Sequence, residues 1–144
     1  MLRRVALNAL SRRDHSVAEL KQKLLKKSDD VECIQQVLQS LIDKGFLNDT
    51  RFSELLIHSK YRQGLGPRRI ALLLKEKGLS SHSVNTAFKD EEWYEGLAMT
   101  WAKRFSEKPK DNKSYGQQAR YLQYRGFSLE HINRFLREPY HEQQ

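Results

Sequence analysis

The chain has 144 residues, of which 38% are hydrophobic and 31% are charged, and its formal net charge is +8. This excess of Lys and Arg favours a partner that is nucleic acid, a complex containing nucleic acid, or an acidic protein surface. No stretch approaches the roughly eighteen consecutive apolar residues of a membrane span, and residues 1–10 lack the apolar run of a signal peptide. We therefore expect a cytoplasmic protein without a membrane partner.

Helical periodicity runs through nearly the whole sequence, and no alternating run of β-branched and aromatic residues predicts a strand. The predicted class is all-α, with helices at 3–11, 16–27, 31–44, 48–62, 67–77, 81–89, 91–105, 114–125 and 129–137. Ser16 and Glu19 have the spacing of a capping box, and Pro67 suits the first position of a helix. Glycines suited to helix C-termini are Gly45, Gly78 and Gly126. Residues 139–144 are expected to fray.

Three stretches of the chain repeat the same apolar pattern. A shift of fifty residues carries Leu20 and Leu24 onto Ile70 and Leu74, and a further forty-eight reaches Gln118, the one polar residue in the pattern, and Leu122. The pattern predicts three three-helix repeats at 1–47, 48–90 and 91–144, with a flexible loop near 106–113. We expect them to form an elongated, curved tandem array that presents an extended surface to a partner.

The sequence contains no persuasive set of catalytic or metal-binding residues. No two histidines are three or four residues apart, and the single cysteine, Cys33, excludes a Cys-x-x-Cys zinc site. The position of Cys33 within a helical stripe predicts a small buried thiol. Gly64-Leu65-Gly66 is more simply a turn before a helix than part of a phosphate-binding loop. We therefore predict a protein that is not an enzyme and has no cofactor or metal.

Basic residues are concentrated in the middle repeat, whose local charge is +4, against +3 and +1 for the first and third repeats. Arg68 and Arg69 lie in the first turn of a predicted helix. Because positive charge is unfavourable there, the pair suggests a use in binding; the alternative for any single basic residue is an ordinary solvated surface position. The candidate partner-binding residues are Arg68, Arg69, Lys60, Arg62, Arg12, Arg13, Arg120 and Arg125.

Aromatic residues accompany several of these cations, in a mixture that can bind single-stranded nucleic acid through phosphate contacts and base stacking. Tyr61 lies between Lys60 and Arg62, and Tyr121 follows Arg120. Either ring could equally pack inside the protein and expose only its hydroxyl. Trp101 is predicted to belong to the core of the third repeat.

Three motifs, in order, resemble the RecX family of bacterial recombination regulators. They are ALSRRDHSxxELxxKL at residues 9–24, DKGFLNDxRF at 43–52 and GxGPRRIxxxLxxKG at 64–78, and the resemblance extends over about residues 3–137. It implies a modulator, usually an inhibitor, of the RecA recombinase. It also implies binding in the groove of the RecA filament on single-stranded DNA, with suppression of ATPase, strand exchange and coprotease activity, in DNA repair and the SOS response. We expect a monomer.

A small three-helix bundle with a basic helix is also typical of helix-turn-helix proteins that bind duplex DNA directly. The triple repeat argues against this alternative, because most such proteins use a single unit and dimerise. Sequence-specific binding to duplex DNA would support it.

Overall fold

A computed structural model describes residues 1–138, and the fraying predicted for 139–144 concerns residues outside this range. The described part is all-α, as predicted, and contains no strand. Its helices are α1 (Leu2–Arg12), α2 (Val17–Leu25), α3 (Val31–Asp43), α4 (Asp49–Arg62), α5 (Pro67–Glu76), α6 (Val84–Ala87), α7 (Asp90–Arg104), α8 (Asn112–Tyr124) and α9 (Leu129–Arg137). None of these helices combines the length and the apolar character needed to cross a bilayer.

The sixth helix is the main difference from the prediction. A helix was predicted at 81–89, but the structure has a single turn, Val84–Ala87. Polar and β-branched residues dominate this segment, and Val84 is its only buried side chain, so little propensity or burial supports further turns. The other helices begin and end within two residues of their predicted bounds.

The chain divides into two compact units. The first contains Met1–Leu56 and Leu74–Ser80, and the second contains Ile57–Leu73 and the chain from Ser81 onward. The division falls within α4 and within α5, so the units do not coincide with the predicted repeats at 1–47, 48–90 and 91–144. Those repeat boundaries stay a prediction.

In the first unit, α1, α2 and α3 enclose an aliphatic core. The core includes the apolar side chains of the repeat pattern. Leu20, Leu24 and Ile34 are fully buried. Each such side chain contributes on the order of 1.5–3 kcal/mol through its burial. Cys33 packs against this core but is half-buried rather than buried.

In the second unit, α7, α8 and α9 enclose a core that contains Trp101 as predicted, 5% exposed. The polar residue of the repeat pattern, Gln118, also lies in it. Its Oε1 accepts a hydrogen bond from Trp101 Nε1 at 2.7 Å, and its Nε2 donates to the carbonyl of Glu107 at 2.9 Å. Gln118 therefore provides the acceptor for a buried indole N–H that an aliphatic residue would leave without a partner.

Replacing Gln118 with leucine is expected to destabilise the protein by about 1–3 kcal/mol, although it restores the apolar pattern. The reason is that the buried indole N–H of Trp101 loses its acceptor. Chemical denaturation monitored by tryptophan fluorescence measures the change. Gln117→Leu, at an exposed position on the same helix, is the control and should have little effect; equal stability of the two variants would contradict the assigned role.

The connection between α7 and α8, predicted as a flexible loop, carries one lysine directed into the protein. Lys108 Nζ donates to the carbonyls of Phe135 at 2.5 Å and Glu138 at 3.0 Å, and it lies 4.0 Å from the centre of the Phe135 ring. Partial burial lowers the pKa of this ammonium group. Lys108 thus links the connection to the end of α9. The flexibility of the connection stays a prediction.

A contact between helix ends occurs in each unit and follows the repeat. In the first unit, the end of α5 packs on the start of α2. Ser16 Oγ donates to the Lys77 carbonyl at 2.5 Å, and a Cβ added to Gly78 would collide with the Cβ of Ala18. Gly78 has a φ of +72°. Glycine therefore provides both the helix-ending conformation and the close approach.

In the second unit, the end of α8 packs on the start of α5. The amide of Gly66 donates to the Arg125 carbonyl at 2.8 Å, and the amide of Arg68 donates to the Gly126 carbonyl at 3.0 Å. Gly126 has a φ of +102°. Because Lys77-Gly78 and Arg125-Gly126 are equivalent in the repeat, one docking arrangement is used twice. We call each instance a helix-end contact.

Glu19 reinforces the helix-end contact of the first unit. The predicted capping box is present: Ser16 Oγ accepts from the Glu19 amide and Glu19 Oε1 accepts from the Ser16 amide, both at 3.0 Å. Glu19 also accepts hydrogen bonds from Lys77 at 3.1 Å and Arg13 at 3.5 Å. Burial alone would raise the pKa of Glu19, but these hydrogen bonds outweigh burial and lower it.

The first unit is expected to lose stability in two steps as the pH falls. Burial lowers the pKa of His15 below its usual 6.5, so its neutral form stabilises the fold until protonation begins below about that pH. Glu19 has a depressed pKa in the folded state, so its contribution is lost only below about 4.5. The midpoint of thermal unfolding, measured between pH 8 and 3, tests both steps. His15→Phe should flatten the first decline and keep the second.

Candidate binding surface

The eight predicted residues lie on both units. Arg12 and Arg13 are exposed at the end of α1 in the first unit, and Arg13 pairs with Glu19 at 3.5 Å. The second unit holds the other six, at the end of α4, the start of α5 and the end of α8: Lys60, Arg62, Arg68, Arg69, Arg120 and Arg125.

Four of the six predicted cations in the second unit lie at its helix-end contact. α4 ends at Arg62, a turn with Gly64 at a φ of +88° follows, and α5 begins at Pro67 as predicted. The end of α8 lies beside this turn, because the amides of Gly66 and Arg68 donate to the carbonyls of Arg125 and Gly126. The cluster formed by Arg62, Arg68, Arg69, Tyr124 and Arg125 is termed the basic corner.

Arg125 connects the end of α8 to the turn after α4. Its Nη2 donates to the Gln63 carbonyl at 2.5 Å, and its Nε donates to the Gly64 carbonyl at 3.2 Å. These carbonyls follow the C-terminus of α4, where a cation is favourable. The guanidinium of Arg125 thus uses two of its five N–H donors to hold the turn, and its role in partner binding stays a prediction.

Arg125→Ala is therefore expected to lower the free energy of unfolding by about 1.5–3 kcal/mol, because it removes two hydrogen bonds from a charged donor. Denaturant titration measures the loss. Arg120→Ala provides the comparison: it removes the same charge from an exposed position of the same helix and should be nearly neutral. A neutral Arg125→Ala would contradict the structural role.

The remaining arginines of the corner are available to a partner. The side chains of Arg62 and Arg68 are exposed and make no hydrogen bond or ion pair with any residue that the structure describes. Arg69 is half-buried, and its guanidinium carbon lies 5.1 Å from the centre of the Tyr124 ring. Tyr124 is 66% exposed, so one face of this pair is open to solvent.

The two tyrosines that the sequence left undecided both pack. Tyr61 stacks on Phe88 with ring centres 4.0 Å apart, and its hydroxyl donates to the Glu92 carbonyl at 2.6 Å. Tyr121 packs edge-on against Phe105 at 5.6 Å. Tyr124 is instead the exposed ring beside the cations. Its position at the very end of α8, outside the buried stripe, was the available signal.

Sequence reasoning also missed a concentration of charge in the first unit. Residues 1–27 contain eight basic and two acidic residues, whereas residues 28–47 contain one basic and four acidic residues. Averaging over the whole repeat conceals this contrast. Arg3 and Arg4 lie in the first turn of α1, which has no acidic residue. The argument from helix electrostatics that singled out Arg68 and Arg69 applies to them equally.

Within residues 1–138, no three His, Cys, Asp or Glu side chains come together in an arrangement able to hold a metal ion. Each of the two buried histidines has a hydrogen-bond partner within the fold. His15 Nδ1 lies 3.0 Å from the Arg13 carbonyl, and His131 Nε2 lies 2.9 Å from Asp90 Oδ1. What the surface offers is charge and hydrogen-bond donors in the basic corner.

Family models match most of the chain. The models for the first, second and third three-helix domains of RecX match residues 3–46, 48–87 and 90–136. A regulatory protein RecX of Ectopseudomonas mendocina is 37% identical over 139 residues, covering 94% of this chain and 93% of the relative. The regulatory protein RecX of Pseudomonas entomophila is 36% identical over 138 residues, covering 94% and 89%.

Solved structures agree in fold. The crystal structure of RecX from Lactobacillus salivarius has a TM-score of 0.81 at 23% identity, covering 94% of this chain and 92% of that chain. A second crystal structure of a regulatory protein RecX has the same TM-score at 17% identity, covering 96% and 72%. The resemblance seen in the three sequence motifs is confirmed: three RecX helical domains follow one another along the chain, which belongs to the RecX family of regulatory proteins.

Proposed function

We propose that this protein is a non-enzymatic regulator of the RecA recombinase. It binds in the groove of the RecA filament on single-stranded DNA and inhibits ATP hydrolysis, strand exchange and coprotease activity. Membership of a regulatory family carries the proposal. It acts in the cytoplasm as a monomer, during DNA repair and the SOS response.

Within this proposal, the basic corner is the surface that binds the filament, and its side chains support that role. Arg62 and Arg68 have no internal partner among the described residues, so binding a phosphate or carboxylate breaks no existing ion pair. Arg68 and Arg69 also occupy the first turn of α5, where an incoming anion relieves unfavourable electrostatics. A filament groove offers both DNA phosphates and protein carboxylates.

Tyr124 adds a second kind of contact at the corner. Its exposed ring beside Arg69 can stack on an unpaired base while neighbouring guanidinium groups bind phosphate oxygens. In a purely protein contact, the same ring would supply apolar area. Either contact is stoichiometric, which fits inhibition by occupancy of the groove rather than by catalysis.

The proposal is tested by the single-stranded-DNA-dependent ATPase rate of the cognate RecA, titrated with this protein below one molecule per recombinase. Inhibition is expected, and it should persist when a large excess of single-stranded DNA is added. Inhibition relieved by the excess would show competition for DNA instead. No inhibition at any ratio, with binding to a particular duplex sequence, would support the helix-turn-helix alternative.

A further inference from the structure

A second candidate binding site lies in the first unit, between α1 and α2. It is a groove of about 460 Å³, within the range of roughly 300–1,000 Å³ that is typical of ligand sites. Val5 and Ala9 provide its apolar surface and pack against the core of the unit. The remaining lining residues are Asn8, Arg12, Lys23, Lys26 and Lys27.

The charge around this groove has a single sign. Among residues 1–138, four cations line it and no carboxylate does. None of their four side chains makes a hydrogen bond or ion pair with a residue that the structure describes. They belong to the most basic segment of the chain, residues 1–27, which contains eight basic and two acidic residues.

Helix electrostatics explain only part of this arrangement. Arg12 lies in the last turn of α1, Lys23 lies in the last turn of α2, and Lys26 is the C-cap of α2, where positive charge is favourable. One cation at each end would satisfy that preference. Four uncompensated cations around an apolar surface repel one another, and a ligand with several negative charges would relieve that repulsion.

The composition of the groove distinguishes between two acidic partners. No aromatic ring of the described residues lines it. A nucleic acid would therefore find cations for its phosphates but no surface there on which its bases could stack. Valine, alanine and the methylene stems of lysine instead form an aliphatic surface. Such a surface fits leucine or isoleucine, and the surrounding ammonium and guanidinium groups fit glutamate or aspartate.

We propose that the α1–α2 groove binds an acidic peptide segment of a partner protein. One or two aliphatic side chains of that segment enter the groove, and flanking carboxylates pair with Arg12, Lys23, Lys26 and Lys27. The site shares no residue with the basic corner and does not depend on RecA being the regulated protein.

Fluorescence anisotropy with the full chain tests this proposal directly. The probe is a fluorescein-labelled twelve-residue peptide that alternates Glu with Leu, measured at low salt. Lys23→Glu combined with Lys27→Glu is expected to weaken binding at least tenfold. The milder pair Lys23→Gln and Lys27→Gln should give a smaller loss, and circular dichroism should show unchanged helix content in both.

A charge-matched control separates the groove from the general positive charge of the protein. Lys21→Glu combined with Lys44→Glu makes the same change in net charge within the first unit, outside the lining residues. It should alter binding less than about twofold. A second peptide with Ser in place of Leu keeps every carboxylate and should bind about fivefold more weakly, because it loses the apolar contact.

Several outcomes would overturn the proposal. Equal losses for the groove pair and the control pair would mean that only net charge is sensed. Equal binding of the Leu and Ser peptides would eliminate the apolar part of the site. Absence of peptide binding, together with binding of a labelled oligothymidine that depends on Lys23 and Lys27, would assign the groove to nucleic acid. RecA is absent from these measurements, so failure here leaves the ATPase test unaffected.

Discussion

Gly126→Ala is expected to lower the free energy of unfolding by about 2–5 kcal/mol. Gly126 has a φ of +102°, in a region that costs a residue with a side chain roughly 1–2 kcal/mol. A Cβ at this position would also collide with the Cβ of Arg69 and lie 2.5 Å from its backbone nitrogen. Overpacking of this kind typically costs a further 1–3 kcal/mol.

Gly45→Ala separates the two contributions. Gly45 also ends a helix with a positive φ, +81°, but an added Cβ there would meet nothing within 4 Å. Only the conformational cost of roughly 1–2 kcal/mol is expected. Urea denaturation of both variants, with the slopes compared, gives the difference. Equal losses would show that the helix-end contact of the second unit does not require close approach.

Arg68→Glu combined with Arg69→Glu is expected to raise the concentration needed for half-inhibition of RecA ATPase at least tenfold. The change replaces two cations of the basic corner with anions, which repel DNA phosphates and protein carboxylates alike. Carboxylates in the first turn of α5 also suit the helix dipole, so the folded state should be preserved. Unchanged inhibition at matched helix content would refute the assignment of these residues.

The matched control is Lys103→Glu combined with Lys113→Glu. Both lysines are exposed in the second unit, near the end of α7 and the start of α8. The change in net charge is identical, but the basic corner remains intact. Half-inhibition should shift less than about twofold. A shift as large as that of the arginine pair would mean that overall charge governs binding.

Most of the fold could be predicted because strong local signals coincide. In α2, the Ser16 capping box, the Leu20 and Leu24 stripe and the following basic residues all indicate the same helix. At Val84–Ala87 no such agreement existed, and an apolar pattern inferred by analogy with the other repeats overestimated the helix. The role of Gln118 could not be predicted from local sequence. Its partner Trp101 lies seventeen residues away, and no local rule identifies the pair.

The candidate surface was predictable only in part. Residue type and helix electrostatics sufficed to select Arg68 and Arg69. The same reasoning placed Arg125 behind them as a binding candidate and did not identify its structural role, because its acceptors, the carbonyls of Gln63 and Gly64, lie more than sixty residues away. The groove between α1 and α2 was missed because a net charge counted over a whole repeat combines a basic half with an acidic half.

The helix-end contact of the second unit has a thermodynamic consequence for ligand binding. The basic corner is formed by the start of α5 and the end of α8, which are held together by backbone bonds to Arg125 and Gly126. A ligand that contacts both helix ends binds only while they are docked. By linkage, its binding stabilises the docked state by RT ln(1 + L/Kd), where L is the free ligand concentration, so the melting temperature rises with the logarithm of ligand concentration over Kd. A ligand of α5 alone does not oppose the undocking of α8. Slower hydrogen exchange of the Gly66 and Arg68 amides, which donate across the contact, therefore identifies a partner that spans both helix ends.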